Sequence, residues 1–336
     1  MRFSLLLVFP ALATALVAAD PPAGKKPPPP APADELYDLG KSLFDQYAPP
    51  DVKAQYDFPS RESWDSFAGR LQQALDGDKL EDLAGYENEA RAALTALRVI
   101  PGYEDYADWL SARIDYIEAA KQATRHTAPL PGPRTTPGPR PANIPYYDLW
   151  LERIRDRPLP ARADELMPVL RAAFVAEGVP PELAWLAEVE STLDPAARSP
   201  AGAKGLFQFM PVTAQSLGLS TFLPDERADA EKSAHAAAKY LGQLHGKFGD
   251  WPLAFAAYNS GEGRVRRLLA SRSAKSFAAI SEALSAETRM YVPKVCATIA
   301  VRTGVTPDKI PSPRSVAGSE ISGAEALAVN EPAGIY

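Results

Sequence analysis

Two proline tracts decide how this chain can be organised before any other feature does. PPAGKKPPPPAPA follows the first residues, and APLPGPRTTPGPRPANIP runs from Ala128 to Pro145. Proline fixes φ and lacks a backbone donor, so neither tract can extend a helix or join a sheet ladder, and both are expected to be semi-rigid tethers. The chain is thus read as a leader (1–19), a proline-rich linker (20–33), an amino-terminal unit (34–125), a second linker (126–143), a larger unit (144–305) and a tail (306–336). With 46% hydrophobic residues over 336 positions, there is apolar material for two packed cores.

Within both units, apolar residues return every three or four positions. Trp64, Phe67, Leu71 and Leu75 of SWDSFAGRLQQALD share one helical face, and EDYADWLSARIDYIEAAKQA repeats the pattern. The larger unit reads the same way through MPVLRAAFVAEG, AEKSAHAAAKYLGQLHGKFG, DWPLAFAAYNSGEG and AETRMYVPKVCATIAVRTG, with almost no strand alternation. Gly178 is expected to close one helix, Pro180 or Pro181 to open the next, and Gly246, Gly249 and Gly261 to end others. The expected fold class is mainly α. The tail, poor in large apolar residues, is expected to be flexible.

The leader MRFSLLLVFPALATALVAAD has Arg2, an apolar run broken by Pro10, and small residues up to Ala19, the pattern of a cleavable secretory signal. The run is short for a membrane span, and no cysteine stands nearby to take a lipid. An exported, soluble, periplasmic product is therefore expected. Cys296, the single cysteine, allows no intramolecular disulfide and is expected to be a buried thiol. A net charge of −6 without a basic stripe among aromatics gives no reason to expect nucleic acid. The basic run Arg264 to Lys275 is read as the wet side of a helix. His126, His235 and His245 match no zinc-ligand spacing, GEGRVR lacks the third glycine of a dinucleotide loop, and there is no GxSxG elbow. Neither metal nor cofactor is expected.

The stretch LAWLAEVESTLDP carries two glutamates two positions apart in a helix-forming run. Each helical residue advances by about 100°, so Glu188 and Glu190 point to nearly opposite sides. Leu183, Leu186 and Ala187 share the face of Glu190, while Glu188 is expected to be a solvated surface acid. A carboxylate on an apolar face must be paired with a cation, bound to metal, or kept partly neutral by desolvation, and the last of these is what a general acid requires. Pro195 is expected to stop this helix, and Gly202 and Gly205 allow the main chain to turn back, with a sugar ring or a neighbouring strand close against it. Tyr258 and Asn259 stand at the end of an apolar helix, either as capping residues or facing a cleft, and Tyr291 reads by itself as core.

Taken together, these residues give a resemblance. Glu190-Ser191 followed by LDPAARSPAGAKGLFQFMP, then Ala257-Tyr258-Asn259-Ser260-Gly261, then Glu287-Thr288-Arg289-Met290-Tyr291-Val292, resemble in order and spacing the motifs of the Slt-type lytic murein transglycosylases, close to their membrane-bound D branch. The resemblance covers about Ile144 to Gly304. It implies a lysozyme-like (goose-type) catalytic domain, preceded here by a small all-α domain, that cleaves the MurNAc-GlcNAc β-1,4 bond of peptidoglycan and forms 1,6-anhydro ends. It implies one acid, Glu190, with its pKa raised by desolvation. Ser199 and Gln208 would hydrogen-bond near the scissile sugar, and Met210 would line its apolar face. Tyr258 would bond near Glu190 or the N-acetyl group, Asn259 would support the wall, and Tyr291 would close the cleft. Asp194, Glu262 and Glu287 are the candidates for a second carboxylate, Asp194 being expected to face solvent. Glycan strands are the implied partner, and the 34–125 unit is left to contact a cell-envelope protein. A hydrolytic muramidase on the same fold and a non-catalytic peptidoglycan-binding scaffold are the alternatives.

Overall fold

The computed structural model describes residues 61–98, 104–125, 144–199 and 201–314, with isolated helical positions between 41 and 50. The leader, both linkers and everything after Arg314 lie outside the described residues. Contacts divide the chain into two compact units, Met1–Thr127 and Ala128–Tyr336. Among the described residues there is no strand, only the isolated bridges Arg198–Lys204 and Lys204–Phe209, so the mainly α class holds. No described helix is long and apolar enough to cross a membrane.

The first unit contains α1 (Arg61–Asp76), α2 (Leu80–Ala84), α3 (Glu87–Leu97) and α4 (Glu104–Arg125). Phe67, Leu71 and Leu75 form the buried stripe of α1, and the side chain of Trp64 lies outside the described ones. Helix α4 packs on α2 and α3, where Ala90, Ala93 and Ala96 let the backbones come close. Glu87 is nearly buried on this alanine face because Arg91 and Lys121 both pair with it.

The second unit is built round a helix with almost no wet side. It comprises α5 (Tyr147–Ile154), α6 (Ala163–Ala176), a 3-10 turn (Pro181–Trp185), α7 (Leu186–Ser191), α8 (Pro211–Ser216), α9 (Ala230–Phe248), α10 (Trp251–Ser260), α11 (Glu262–Ser271), α12 (Phe277–Ile280) and α13 (Ala286–Thr303). In α13 every residue from Ala286 to Ile299 is buried, the mark of a core helix. It packs against α5, α7 and α10, while α9 joins α6 to α10. Its polar members are accommodated one by one: Arg289 donates to the Ser281 and Glu282 carbonyls at 3.1 and 2.6 Å, and the Lys294 ammonium lies over the Trp150 ring. Cys296 is a free, fully buried thiol whose pKa burial pushes up. On α11, Val265 is buried while Arg266 and Arg267 are exposed, the wet face read from the sequence.

Three local expectations need correction. Gly246 does not end a helix: α9 runs on to Phe248 and closes at Gly249, where φ is 68°. Pro195 does not stop the glutamate helix, which ends at Ser191. The chain turns there through Thr192 and Leu193, at φ 55° and 60°, because the Leu193 side chain is fully buried and pulls the backbone round. Nor is the tail loose from residue 306. Ile310 is buried, the Trp251 indole donates to the Pro311 carbonyl at 3.0 Å, and Arg314 N donates to Gly178 O at 2.8 Å.

The 195–210 segment between α7 and α8 turns back at Gly205, φ 83°, where an added Cβ would stand 1.9 Å from the Arg227 carbonyl oxygen. The backbone that approaches this glycine is therefore a later stretch of the same chain. Gly205→Ala is expected to cost about 3 kcal/mol in urea denaturation, from strain and overlap together; a loss below about 0.5 kcal/mol would contradict the packing described.

Candidate active site

Glu190 sits in the last turn of α7, on the face of Leu183, Leu186 and Ala187, all fully buried, and is itself 8% exposed. The Tyr291 hydroxyl on α13, 101 positions away, donates to Glu190 Oε1 at 2.5 Å. A phenol is a partner that the apolar spacing alone does not foresee. Burial disfavours the carboxylate anion and the donated bond favours it, so the certain effect of Tyr291 is directional: one oxygen is pinned and the plane of the carboxyl group is set. Tyr291 is fully buried, so it is a core residue and a contact of Glu190 at once.

The loop beside α7 is held from within. Ser191 Oγ lies 3.0 Å from both the Ala187 and Leu206 carbonyl oxygens, joining the glutamate helix to the loop. Leu206, Phe207 and Phe209 point into the core, and a ladder of rings runs Phe174, Phe207, Phe209, Tyr258, Tyr240 at centroid spacings of 6.0, 6.5, 6.1 and 5.5 Å. Gln208 is buried at φ 48°, its amide nitrogen donating to Gly205 O at 2.9 Å and Ala197 O at 3.3 Å. Ser199 Oγ accepts from Ala203 N at 3.0 Å. Met210 is half-buried and precedes α8. The Tyr258 hydroxyl donates to Phe207 O at 2.9 Å, bracing the loop. Asn259 Oδ1 accepts from Thr288 Oγ1 at 2.6 Å, which ties α10 to α13. Arg227, missed in the sequence, fastens the other side by donating to Gly202 O at 2.9 Å and Phe209 O at 3.1 Å. Asp225 pairs with Arg227 and Lys204; burial pushes its carboxyl up, yet the hydrogen bonds from those two residues outweigh this and hold its pKa down to about 2.

Two of the other acids have cationic partners. Asp194 is partly exposed and paired with Arg162 at 2.6 Å. Glu262 opens α11 and pairs with Lys247 at 2.5 Å, and Glu287 is buried in the first turn of α13. His235 Nδ1 bonds Glu177 at 2.8 Å and His245 packs on Trp251, while His126 lies outside the described residues.

Residues 169–281 match the transglycosylase SLT domain model. The match covers about a third of the chain. Over 140 residues it is 41% identical to membrane-bound lytic murein transglycosylase D of Escherichia coli strain K12, covering 40% of this chain and 31% of that protein. Over 135 residues it is 42% identical to peptidoglycan transglycosylase gp16 of Escherichia phage T7, covering 38% and 10%. Over 120 residues it is 35% identical to the soluble lytic murein transglycosylase of Salmonella typhimurium, covering 33% and 19%. The chain thus spans less than a third of the length of each of these relatives. The SLT match holds Glu190, Ser199, Gln208, Met210, Tyr258 and Asn259 and stops ten residues before Tyr291, which joins the site through its bond to Glu190.

A second tie between α7 and α13 corrects the reading of Glu188. It is not a solvated acid: Arg302 grips both its oxygens, at 2.6 and 2.8 Å, with side-chain exposures of 6% and 12% for the arginine and the glutamate. Arg302 also donates to the Arg157 and Pro158 carbonyls, each at 3.0 Å, and stacks over Trp185. Opposite faces of α7 are therefore fixed to α13, by Glu190 to Tyr291 and by Glu188 to Arg302. No local pattern could show this, since the pair is 114 positions apart. Arg302→Met should destabilise the protein by about 3 to 5 kcal/mol by leaving Glu188 uncompensated, and adding Glu188→Leu should recover most of that loss. Denaturant titration of both variants checks it, and a double variant as unstable as the single one would contradict it.

Proposed function

We propose that this chain is a lytic transglycosylase that cleaves the MurNAc-GlcNAc β-1,4 bond of peptidoglycan and leaves 1,6-anhydroMurNAc ends. The observation that supports this best is Glu190, buried at the end of α7, aimed by the Tyr291 hydroxyl, and flanked by the loop of an SLT domain. The names of the relatives add that the proteins this domain resembles are transglycosylases of murein or peptidoglycan.

Glu190 enters protonated and gives its proton to the departing glycosidic oxygen as the bond to the anomeric carbon of MurNAc breaks. The resulting carboxylate takes the proton of the 6-hydroxyl of the same MurNAc, and O6 bonds to the anomeric carbon. One bond to that carbon is lost and one gained, the proton is returned to Glu190, and no water is consumed. Two carboxylates are the usual need of glycosidases, one for the leaving group and one for water or for the anomeric carbon. A nucleophile already attached to the substrate has an effective concentration high enough to replace the second. Ser199, Gln208 and Met210 on the loop, with Tyr258, Asn259 and Tyr291 behind it, form the binding wall in this reading.

The leader at 1–19 supports export to the periplasm, where the polymer lies. The 34–125 unit is read as a separate module, with a cell-envelope protein as its candidate partner, and 144–305 as the catalytic domain. A muramidase on this scaffold would have to bring water to the anomeric carbon, and a scaffold protein would have no use for a buried, aimed acid.

Digestion of purified sacculi should release muropeptides one water lighter than hydrolytic products. Glu190→Gln should reduce that release by about a hundredfold or more, and Tyr291→Phe by about tenfold. Full-weight reducing ends, or a Glu190→Gln protein as active as the parent, would overturn the proposal.

A further inference from the structure

Phe222 and Leu223 stand 79% and 75% exposed, side by side, in the turn between α8 and the 3-10 turn Glu226–Ala228. Such a pair normally sinks into a core, yet this turn is braced so that it cannot fold inward. Its feet are joined by Glu226 N to Ser220 O at 2.9 Å and by Ser220 N to Glu226 Oε2 at 2.8 Å. Phe222 N donates to Ser220 Oγ at 3.3 Å, and Gln215 Nε2 on α8 donates to Thr221 Oγ1 at 2.8 Å. One residue past the foot is Arg227, whose guanidinium holds Gly202 O and Phe209 O in the loop beside Glu190. Four residues lie between Phe222 and Arg227, so their Cα atoms stand no further than about 18 Å apart, and the turn is tied through Arg227 to the loop beside Glu190.

Resting on the transglycosylase reading, we infer that Phe222, flanked by Leu223, is an outlying subsite on which a sugar ring of the glycan strand stacks. The C–H face of a pyranose is weakly positive and apolar, and it fits the negative face of an aromatic ring. The surroundings favour this occupant over others. A protein interface needs about 800 Å² from each partner, and two side chains supply a small part of that. An anionic bilayer is drawn to clustered lysine and arginine, whereas the acids Asp225, Glu226 and Asp229 here outnumber Arg227 and Lys232. A neutral ring on an extended polymer needs only a small apolar platform on a turn tied to the loop beside Glu190.

The test uses the full chain bearing Glu190→Gln, so that strands are bound without turnover, and measures affinity for peptide-free glycan strands of many disaccharides and for the shortest fragment that binds. Phe222→Ala should lower the preference for long over short strands by about three- to tenfold, and Phe222→Trp should retain it. An unchanged preference overturns the inference, as does equal weakening on both lengths, or vesicle co-sedimentation that depends on Phe222. The two proposals fail separately: a parent protein without anhydro products, but with Phe222-dependent strand binding, removes the chemistry and leaves the subsite.

Discussion

In the larger unit one carboxyl group, that of Glu190, is taken out of water and still points in a fixed direction. Burial alone would leave the Glu190 side chain free to turn about its own bonds. The Tyr291 hydroxyl removes that freedom by holding Oε1 at 2.5 Å, and it can do so because Tyr291 stands in the run of α13 that is buried from Ala286 to Ile299. The precision of the site is borrowed from the core.

A single contact between two helices would still let one roll on the other. The Glu188–Arg302 pair on the far face of α7 prevents this, and its arginine also gathers the carbonyls of Arg157 and Pro158. A buried ion pair is weak evidence for net stability, because desolvation offsets most of its Coulomb gain. Its value here is register: it fixes where α7 lies along α13, and so where Glu190 meets Tyr291. The ring ladder from Phe174 to Tyr240 and the Arg227 brace do the same for the loop. Strain at Gln208, with φ 48°, is tolerated because these surroundings over-determine the backbone.

What the sequence made legible followed from local geometry. Helical spacing separated Glu188 from Glu190 and put the second on the buried side, and glycines with positive φ ended helices at Gly249 and Gly261. Errors arose where distant residues decide. Glu188 read as a surface acid because its arginine is 114 positions away. Pro195 looked like the helix stop, whereas buried Leu193 turns the chain earlier. The tail composition hid the docking of Ile310 and Pro311 onto the domain. Tyr258 and Tyr291, both aromatic and both in motifs, could not be told apart by sequence: one braces a carbonyl, and the other meets the acid.

The central claim is that one aimed acid suffices because the substrate brings its own nucleophile and water takes no part. Cleavage of sacculi in oxygen-18 water, with mass analysis of every new MurNAc end, reads this directly. The account predicts that no heavy oxygen enters the products. One heavy oxygen at each new end would show that water attacks the anomeric carbon and would contradict it.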